Sequence, residues 1–247
     1  MTPASPVRVL TGITTSGTPH LGNYVGAIRP TVRASRAAGT ESFLFLADYH
    51  ALIKCQDPTR VQRSTLEIAA SWLAAGLDPE HVTFYRQSDI PEIPQLTWLL
   101  TCVTGKGLLN RAHAYKAAVD KNAEAGQEAD DGVTAGLFMY PVLMAADILM
   151  FSAHQVPVGR DQVQHIELTR DVAVRFNNLF GDTFVIPKAV IPKVGARIMG
   201  LDEPEAKMSK SVAAKRDGHA IGLLDDEKRI RKSIMSAVTD SGREVRF

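Results

Sequence analysis

The chain has 247 residues, 28 Lys and Arg against 27 Asp and Glu, and a formal charge of +1. It is 45% hydrophobic and 22% charged, which fits a soluble globular chain of one large domain, or one large and one small. No apolar run is long enough to span a bilayer, Met1–Pro6 lacks the regions of a signal peptide, and two lone cysteines, Cys55 and Cys102, fit neither a disulfide frame nor a zinc site. These points suggest a cytoplasmic protein with reduced core thiols, no membrane partner, and any nucleic-acid surface confined to a local patch.

In chain order, Val7–Ile13 reads as a buried strand and Thr14–Pro19 as a loop. His20 to about Ala38 reads as a helix that Pro30 breaks or kinks, because proline donates no hydrogen bond and crowds the preceding turn. Ser42–Ala47 is a second buried strand. Pro58 opens a helix to about Ala75 with Gly76 as its cap, and His81–Arg86 is a third strand. Helices are expected at Ile93–Val103 and Thr104–Ala118, followed by a mobile polar loop at Lys121–Gly132. Thr134–Phe151 is apolar nearly all round and reads as a buried helix. Gln155–Val158 is a short strand. Asp161–Phe180 is an amphipathic helix with Leu168, Val172, Phe176 and Leu179 as its stripe. Thr183–Ile186 is a candidate strand, Pro187–Gly222 is mostly loop, and Asp225–Ala237 is the final helix. Strands alternating with helices predict an α/β fold, a parallel sheet covered on both faces whose ligands bind beyond the C-terminal strand ends.

Two segments carry chemistry. The first strand runs into T-G-I-T-T-S-G-T-P-H-L-G-N-Y, a turn of small residues that opens a helix. A helix start carries unpaired N–H groups and a partial positive charge, so it attracts phosphate. His20 and Asn23, three apart, share one face of the first turn and both can donate to phosphate oxygens. Alone, this turn reads equally well as a plain capped strand–turn–helix. Far downstream stands Lys207-Met208-Ser209-Lys210-Ser211, two lysines three apart in a segment rich in Gly, Pro and charge. Such ammonium groups can follow charge as it develops on a phosphate. The basic groups Arg29, Arg33 and Arg36; Lys106, Arg111 and Lys116; and Lys228, Arg229, Arg231 and Lys232 read first as solvated faces.

His20–Asn23 resembles the HIGH motif of class I aminoacyl-tRNA synthetases, and Lys207–Ser211 is identical to their KMSKS motif. Within that class the chain is similar to tryptophanyl-tRNA synthetases at 16–27, 140–149, 156–171 and 191–199. The resemblance implies a Rossmann-like catalytic domain over 1–200 with a helical dimerisation insertion at about 88–150. It also implies that 201–247 holds the KMSKS loop and the start of a helical anticodon-binding domain, truncated here. The implied activity is ATP-dependent activation of L-tryptophan and its transfer to tRNA(Trp), with Mg²⁺, in a homodimer. His20, Asn23, Lys207 and Lys210 are then the catalytic residues. ATP meets Thr14, Thr15, Ser16, Gly22, Asn23 and the segment Lys207, Met208, Ser209, Lys210, Ser211, with Gly159, Arg160 and Asp161 at the ribose and Ile198 at the adenine.

By the same resemblance Asp147, a carboxylate in the apolar run L-M-A-A-D-I-L-M, accepts the indole N–H. Tyr140 and Gln162 hold the α-amino group, and Met144 and Val158 pack on the indole. Read from the residues alone, Asp147 is a buried carboxylate in need of a partner, Met144 and Val158 are ordinary core, and His50 is a core histidine at the pocket wall. The family has Gln-Pro where this chain has Thr14-Thr15, usually Glu at Arg160 and often Thr at His20. Alternatives are a tyrosyl-tRNA synthetase, a small-molecule adenylyltransferase, and a catalytically silent synthetase-like binding protein.

Overall fold

A computed structural model describes residues 5–191, 198–213, 215–239 and 242, without the Ser211 side chain. Five strands form one parallel sheet in the order β3-β2-β1-β4-β5. They are β1 (Val7–Thr14), β2 (Thr40–Ala47), β3 (Thr83–Arg86), β4 (Gln155–Pro157) and β5 (Lys188–Val190). Strand order reverses between β1 and β4, so a crevice opens beyond Thr14 and Pro157, where open α/β sheets bind ligands.

β2 shows why the sheet is central. Its residues from Ser42 to Ala47 are all buried, as expected for a strand covered on both faces. Leu44 and Leu46 point to one side, packing with Ile28, Val32, Ile68 and Trp72. Phe43, Phe45 and Ala47 point to the other, with Leu10, Ile148, Val156 and Ile166. Gly12 lies opposite Phe45 in the β1–β2 register, and a Cβ there would meet two Phe45 ring atoms at 2.5 Å. The first side is covered by a helix after β1 and by α4 (Pro58–Ala74). That first helix joins α1 (Leu21–Asn23), a π turn (Tyr24–Ile28) and α2 (Arg29–Ala34). Between β2 and α4 lies the single turn α3 (Asp48–Ala51). α5 (Glu92–Val103), α6 (Lys106–Leu109), α7 (His113–Glu124), α8 (Ala135–Met150) and α9 (Val163–Phe180) follow, and α5, α8 and α9 share a second core. The chain continues through α10 (Lys210–Ala213) and α11 (Glu227–Met235). Among the described residues no helix is long and apolar enough to cross a membrane.

The structure corrects several sequence expectations. Pro30 does not break the first helix, which continues to Ala34. The π turn widens the ladder just ahead of the proline, with the Arg29 N–H donating to the Tyr24 carbonyl, so the ring is accommodated. That helix ends at Ala34, short of Ala38. The segment 104–118 is not one helix. The Gln164 side chain takes the His113 N–H at 2.8 Å and donates to the Arg111 carbonyl at 3.0 Å, holding the chain extended at Ala112 between α6 and α7. α7 runs on to Glu124, inside the expected loop, and Asn122 donates to the carbonyls of Ala129 and Asp131, ordering the turn beyond. Thr183–Ile186 is not a strand, because Asn177 satisfies the N–H groups of Thr183 and Phe184 and the Phe184 carbonyl, leaving β5 at Lys188–Val190. Leu179 and Cys102 are exposed. The final helix spans Glu227–Met235, inside the expected 225–237, with the Asp226 side chain as its N-cap.

Candidate active site at the switch point of the sheet

The loop after β1 is held from below. The Ser64 hydroxyl of α4 accepts from the Gly17 N–H at 3.0 Å and donates to the Gly17 carbonyl at 2.8 Å, and Thr18 bonds Glu67. Thr14 is exposed, Ser16 half-buried, and Thr15 fully buried with a hydroxyl that has no partner among the described residues. A buried hydroxyl normally has a partner, so Thr15 has bonding capacity to offer a ligand. Pro19 and His20 then turn into α1. His20 caps the helix, its Nδ1 accepting from the Asn23 N–H at 3.3 Å while Asn23 Oδ1 accepts from the His20 N–H at 3.1 Å. Since Nδ1 accepts, the ring hydrogen sits on Nε2. Burial first, then the charges of Lys210, His219 and Lys207, push the imidazole down to about 4. His20 is therefore a neutral Nε2–H donor at physiological pH.

The downstream lysines fold back onto this loop. Lys210 Nζ donates to the Thr14 carbonyl at 2.9 Å, bridging 196 positions of sequence. Its ammonium is pushed down to about 8 by burial. Lys207 is exposed, Met208 buried and Ser209 half-buried. The segment is anchored by a bridge between Met199 and Lys207 and by the Met208 N–H on the Ile198 carbonyl at 3.0 Å. A Cβ at Gly22 would lie 3.5 Å from Ile198 Cβ, so Ile198 sits beside the helix start. A second tie runs through residues 219–223. Gly222 bridges His20, the Leu21 N–H meets the Ile221 carbonyl, and the Leu223 N–H meets the Pro19 carbonyl. His219 is fully buried, with Nδ1 on Asp202. Thus His20, Asn23, Thr14, Ile198 and Lys210 converge, while the Ser211 side chain and residues 192–197 lie outside the described residues.

Across the switch point, β4 delivers Gly159, Arg160 and Asp161, all exposed, and half-buried Gln162, whose Nε2 donates to Asp161 Oδ2 at 3.1 Å. A Cβ at Gly159 would stand 2.6 Å from Asp161 Oδ1, so the Asp161 carboxylate lies close over the Gly159 backbone. Val158 and Met144 pack against one core cluster. Half-buried Tyr140 shares a hydrogen bond of 2.9 Å with His165 Nε2.

Asp147 is fully buried on α8. Its two oxygens accept from Gln87 Nε2 at 2.8 and 3.0 Å, and Oδ2 also pairs with His50 Nε2 at 2.9 Å. Burial pushes the carboxyl up, opposed by the bonds from His50 and Gln87. His50 is thus a bonded histidine, as the residues alone suggested, and also a partner of Asp147. Gln87, fully buried just past β3, went unread in the sequence, because a lone Gln after a strand carries no pattern. Ser64 was missed for the same reason. The basic groups behave largely as surface. Arg36 donates to the Gly76 carbonyl, Lys106 bonds Asn110 and lies over the Phe138 ring, and Lys232 bonds Asp217, with Arg229 at 3.6 Å from the same carboxylate.

The family model described as tRNA synthetases class I (W and Y) matches residues 2–247. The chain belongs to that family of class I tRNA synthetases. Within it the sequence groups with the tryptophanyl members. It is 65% identical over 237 residues to the tryptophan–tRNA ligase of Pseudomonas putida, covering 95% of this chain and 51% of that one. A solved tryptophanyl-tRNA synthetase from Campylobacter jejuni, complexed with ADP and tryptophan, superposes with a TM-score of 0.81 at 44% identity, covering 96% of this chain and 69% of that one. The corresponding enzyme from Mycoplasma pneumoniae gives a TM-score of 0.84 at 36% identity, covering 98% and 68%. The chain spans about half the length of the curated relatives it matches.

Proposed function

We propose that this chain carries the catalytic unit that activates L-tryptophan with ATP to tryptophanyl-adenylate and passes the acyl group to tRNA(Trp). The observation that carries this reading is the seating of Lys210 on the Thr14 carbonyl, 2.9 Å away, beside the helix start capped by His20 and Asn23. A carboxylate oxygen of tryptophan attacks the α-phosphorus, the bond from that phosphorus to the bridging oxygen breaks, and the electron pair leaves with pyrophosphate. A terminal ribose hydroxyl of the tRNA then attacks the acyl carbon and AMP departs. No protein nucleophile is involved, so the protein contributes position and charge.

In this reading His20, Asn23 and the helix start hold the phosphates, and Lys207 and Lys210 meet the charge developing on the leaving group. Thr14, Thr15, Ser16, Gly22, Met208, Ser209 and Ser211 line the nucleotide, with Gly159, Arg160 and Asp161 at the ribose and Ile198 at the adenine. Asp147 accepts the indole N–H, Tyr140 and Gln162 hold the α-amino group, and Met144 and Val158 flank the ring. Among the described residues no group of three or more His, Cys, Asp or Glu converges on a metal. Mg²⁺, arriving with ATP, would supply counter-charge to the phosphates alongside Lys207 and Lys210. The same reading gives the domain division 1–200 and 201–247, a cytoplasmic setting, and a homodimer through about 88–150. Exposed Trp98 and Leu99 on α5 support the dimer.

The test is ATP–pyrophosphate exchange without tRNA, comparing tryptophan, tyrosine and phenylalanine. Exchange with tryptophan alone is expected. Exchange driven by tyrosine overturns the assignment of the pocket, and none with any of the three overturns the activity.

A further inference from the structure

Asp147 lies where α8 meets the C-terminal ends of β2 and β3, and its surroundings are unusually complete. Gln87 is fully buried, and both ends of its amide are engaged. Its Oε1 accepts from the Tyr49 N–H at 3.1 Å and the His50 N–H at 3.4 Å, while Nε2 donates to both Asp147 oxygens. This fixes the amide. Turned over, it would set an NH₂ against two backbone donors and an oxygen against a carboxylate. The Gln87 backbone is fixed too, because Asp48 at the start of α3 accepts from the Ser88 N–H and hydroxyl, and Arg86 pairs with Asp89.

A carboxylate has about four acceptor positions. On Oδ2 two are filled, by Gln87 and His50; on Oδ1 only one is, by Gln87. One acceptor position on Oδ1 therefore has no donor among the described residues. The amide donates to both oxygens, so with His50 it favours the ionised acid and opposes the burial that pushes the carboxyl up. An ionised carboxylate accepts only; a protonated one would also donate and would lose its selectivity for an N–H.

We propose that Gln87 is a specificity-determining positioning residue: it holds Asp147 as an ionised acceptor with one oxygen position open, so that the pocket selects a side chain bearing a ring N–H. The inference rests on the reading above in which Asp147 meets the indole. Gln87 itself need not touch the substrate.

The experiment measures the binding of tryptophan and of 3-benzothienylalanine, an isostere with sulfur in place of the ring N–H, to the 247-residue chain by titration calorimetry. The unsubstituted chain is expected to prefer tryptophan by roughly ten- to a hundredfold, the range of a hydrogen bond to a charged group. In Gln87→Met the preference falls to within about threefold, through weaker tryptophan binding while the isostere changes little. Gln87→Glu keeps an acceptor for the Tyr49 and His50 N–H groups but sets two carboxyls together, which must share a proton. Its preference is therefore present at low pH, where the shared proton imitates the amide, and is lost as pH rises and that proton leaves, a loss steeper than any in the unsubstituted chain. The other titratable groups nearby are His50 and Asp48 on α3, Tyr85 on β3 and Tyr140 on α8, and they are common to both proteins. A Gln87→Met or Gln87→Glu chain that keeps the full preference at all pH overturns the proposal alone. Equal binding of the two ligands by the unsubstituted chain overturns the reading of Asp147, and the proposal with it.

Discussion

Replacing Lys210 with alanine removes a charge that the fold brings 2.9 Å from the Thr14 carbonyl. Thr14 is exposed, so water replaces the lost donor and stability falls by no more than about 1 kcal/mol. The catalytic loss is larger. Removing one preorganised donor from developing charge costs about 2.7–4 kcal/mol, roughly a hundred- to a thousandfold in rate. The pH dependence identifies the residue. Burial lowers the ammonium from 10.5 to about 8, so it is charged below that pH and neutral above it. With free enzyme, kcat/KM for ATP should fall about tenfold per pH unit above roughly 8. In kcat the limb moves higher, because bound phosphates favour the ammonium. Stability runs the opposite way. The unfolded chain keeps this proton up to 10.5, so folding gains stability as pH rises from about 8 toward 10.5. Lys210→Ala should lose both effects. The assay is ATP–pyrophosphate exchange from pH 6 to 10, with tryptophan affinity measured by calorimetry. An alkaline limb surviving in Lys210→Ala, or equal losses in tryptophan binding and in activation, refutes the role.

Two further perturbations test the frame. Gly12→Ala drives a methyl group into the Phe45 ring, itself stacked on Tyr85 at 5.6 Å. Overpacking of this kind costs about 1–3 kcal/mol, a fall in Tm of roughly 2–12 °C for a chain of this size; a change under about 1 °C by calorimetry contradicts it. Ser64→Ala removes both bonds that hold Gly17 to α4. It should raise KM for ATP by about tenfold, one lost hydrogen bond's worth, and leave KM for tryptophan within about twofold; a rise confined to tryptophan rules out the anchoring role of Ser64.

What the sequence revealed follows from where its signals are periodic or contiguous. The aromatic and aliphatic run of β2 was legible because both its faces are buried, and that of β1 because its apolar residues are contiguous around buried Leu10 and Ile13. The capped start at His20 and the lysines of 207–211 were legible because each is a compact string. Two of the misses share one cause, a side chain outside the segment taking over a backbone that local pattern had assigned elsewhere. Asn177 captures Thr183 and Phe184, and Gln164 captures His113 and Arg111. Gln87 was invisible for the same reason, because its meaning lies in Tyr49, His50 and Asp147, none of them a sequence neighbour.

The π turn at Tyr24–Ile28 sets an angle as well as admitting Pro30. Each residue advances an α-helix by about 100°, and a π turn holds one residue more than an α turn. Ile28 and Val32 behind it are buried against the sheet, while His20 and Asn23 ahead of it form the cap. Deleting one residue between Tyr24 and Ile28 would restore regular pitch yet twist the cap about 100° away from Lys210. The wide turn is a phase offset written into the chain, and Pro30 locks it, since an α-helical register would press its ring on the Gly26 carbonyl.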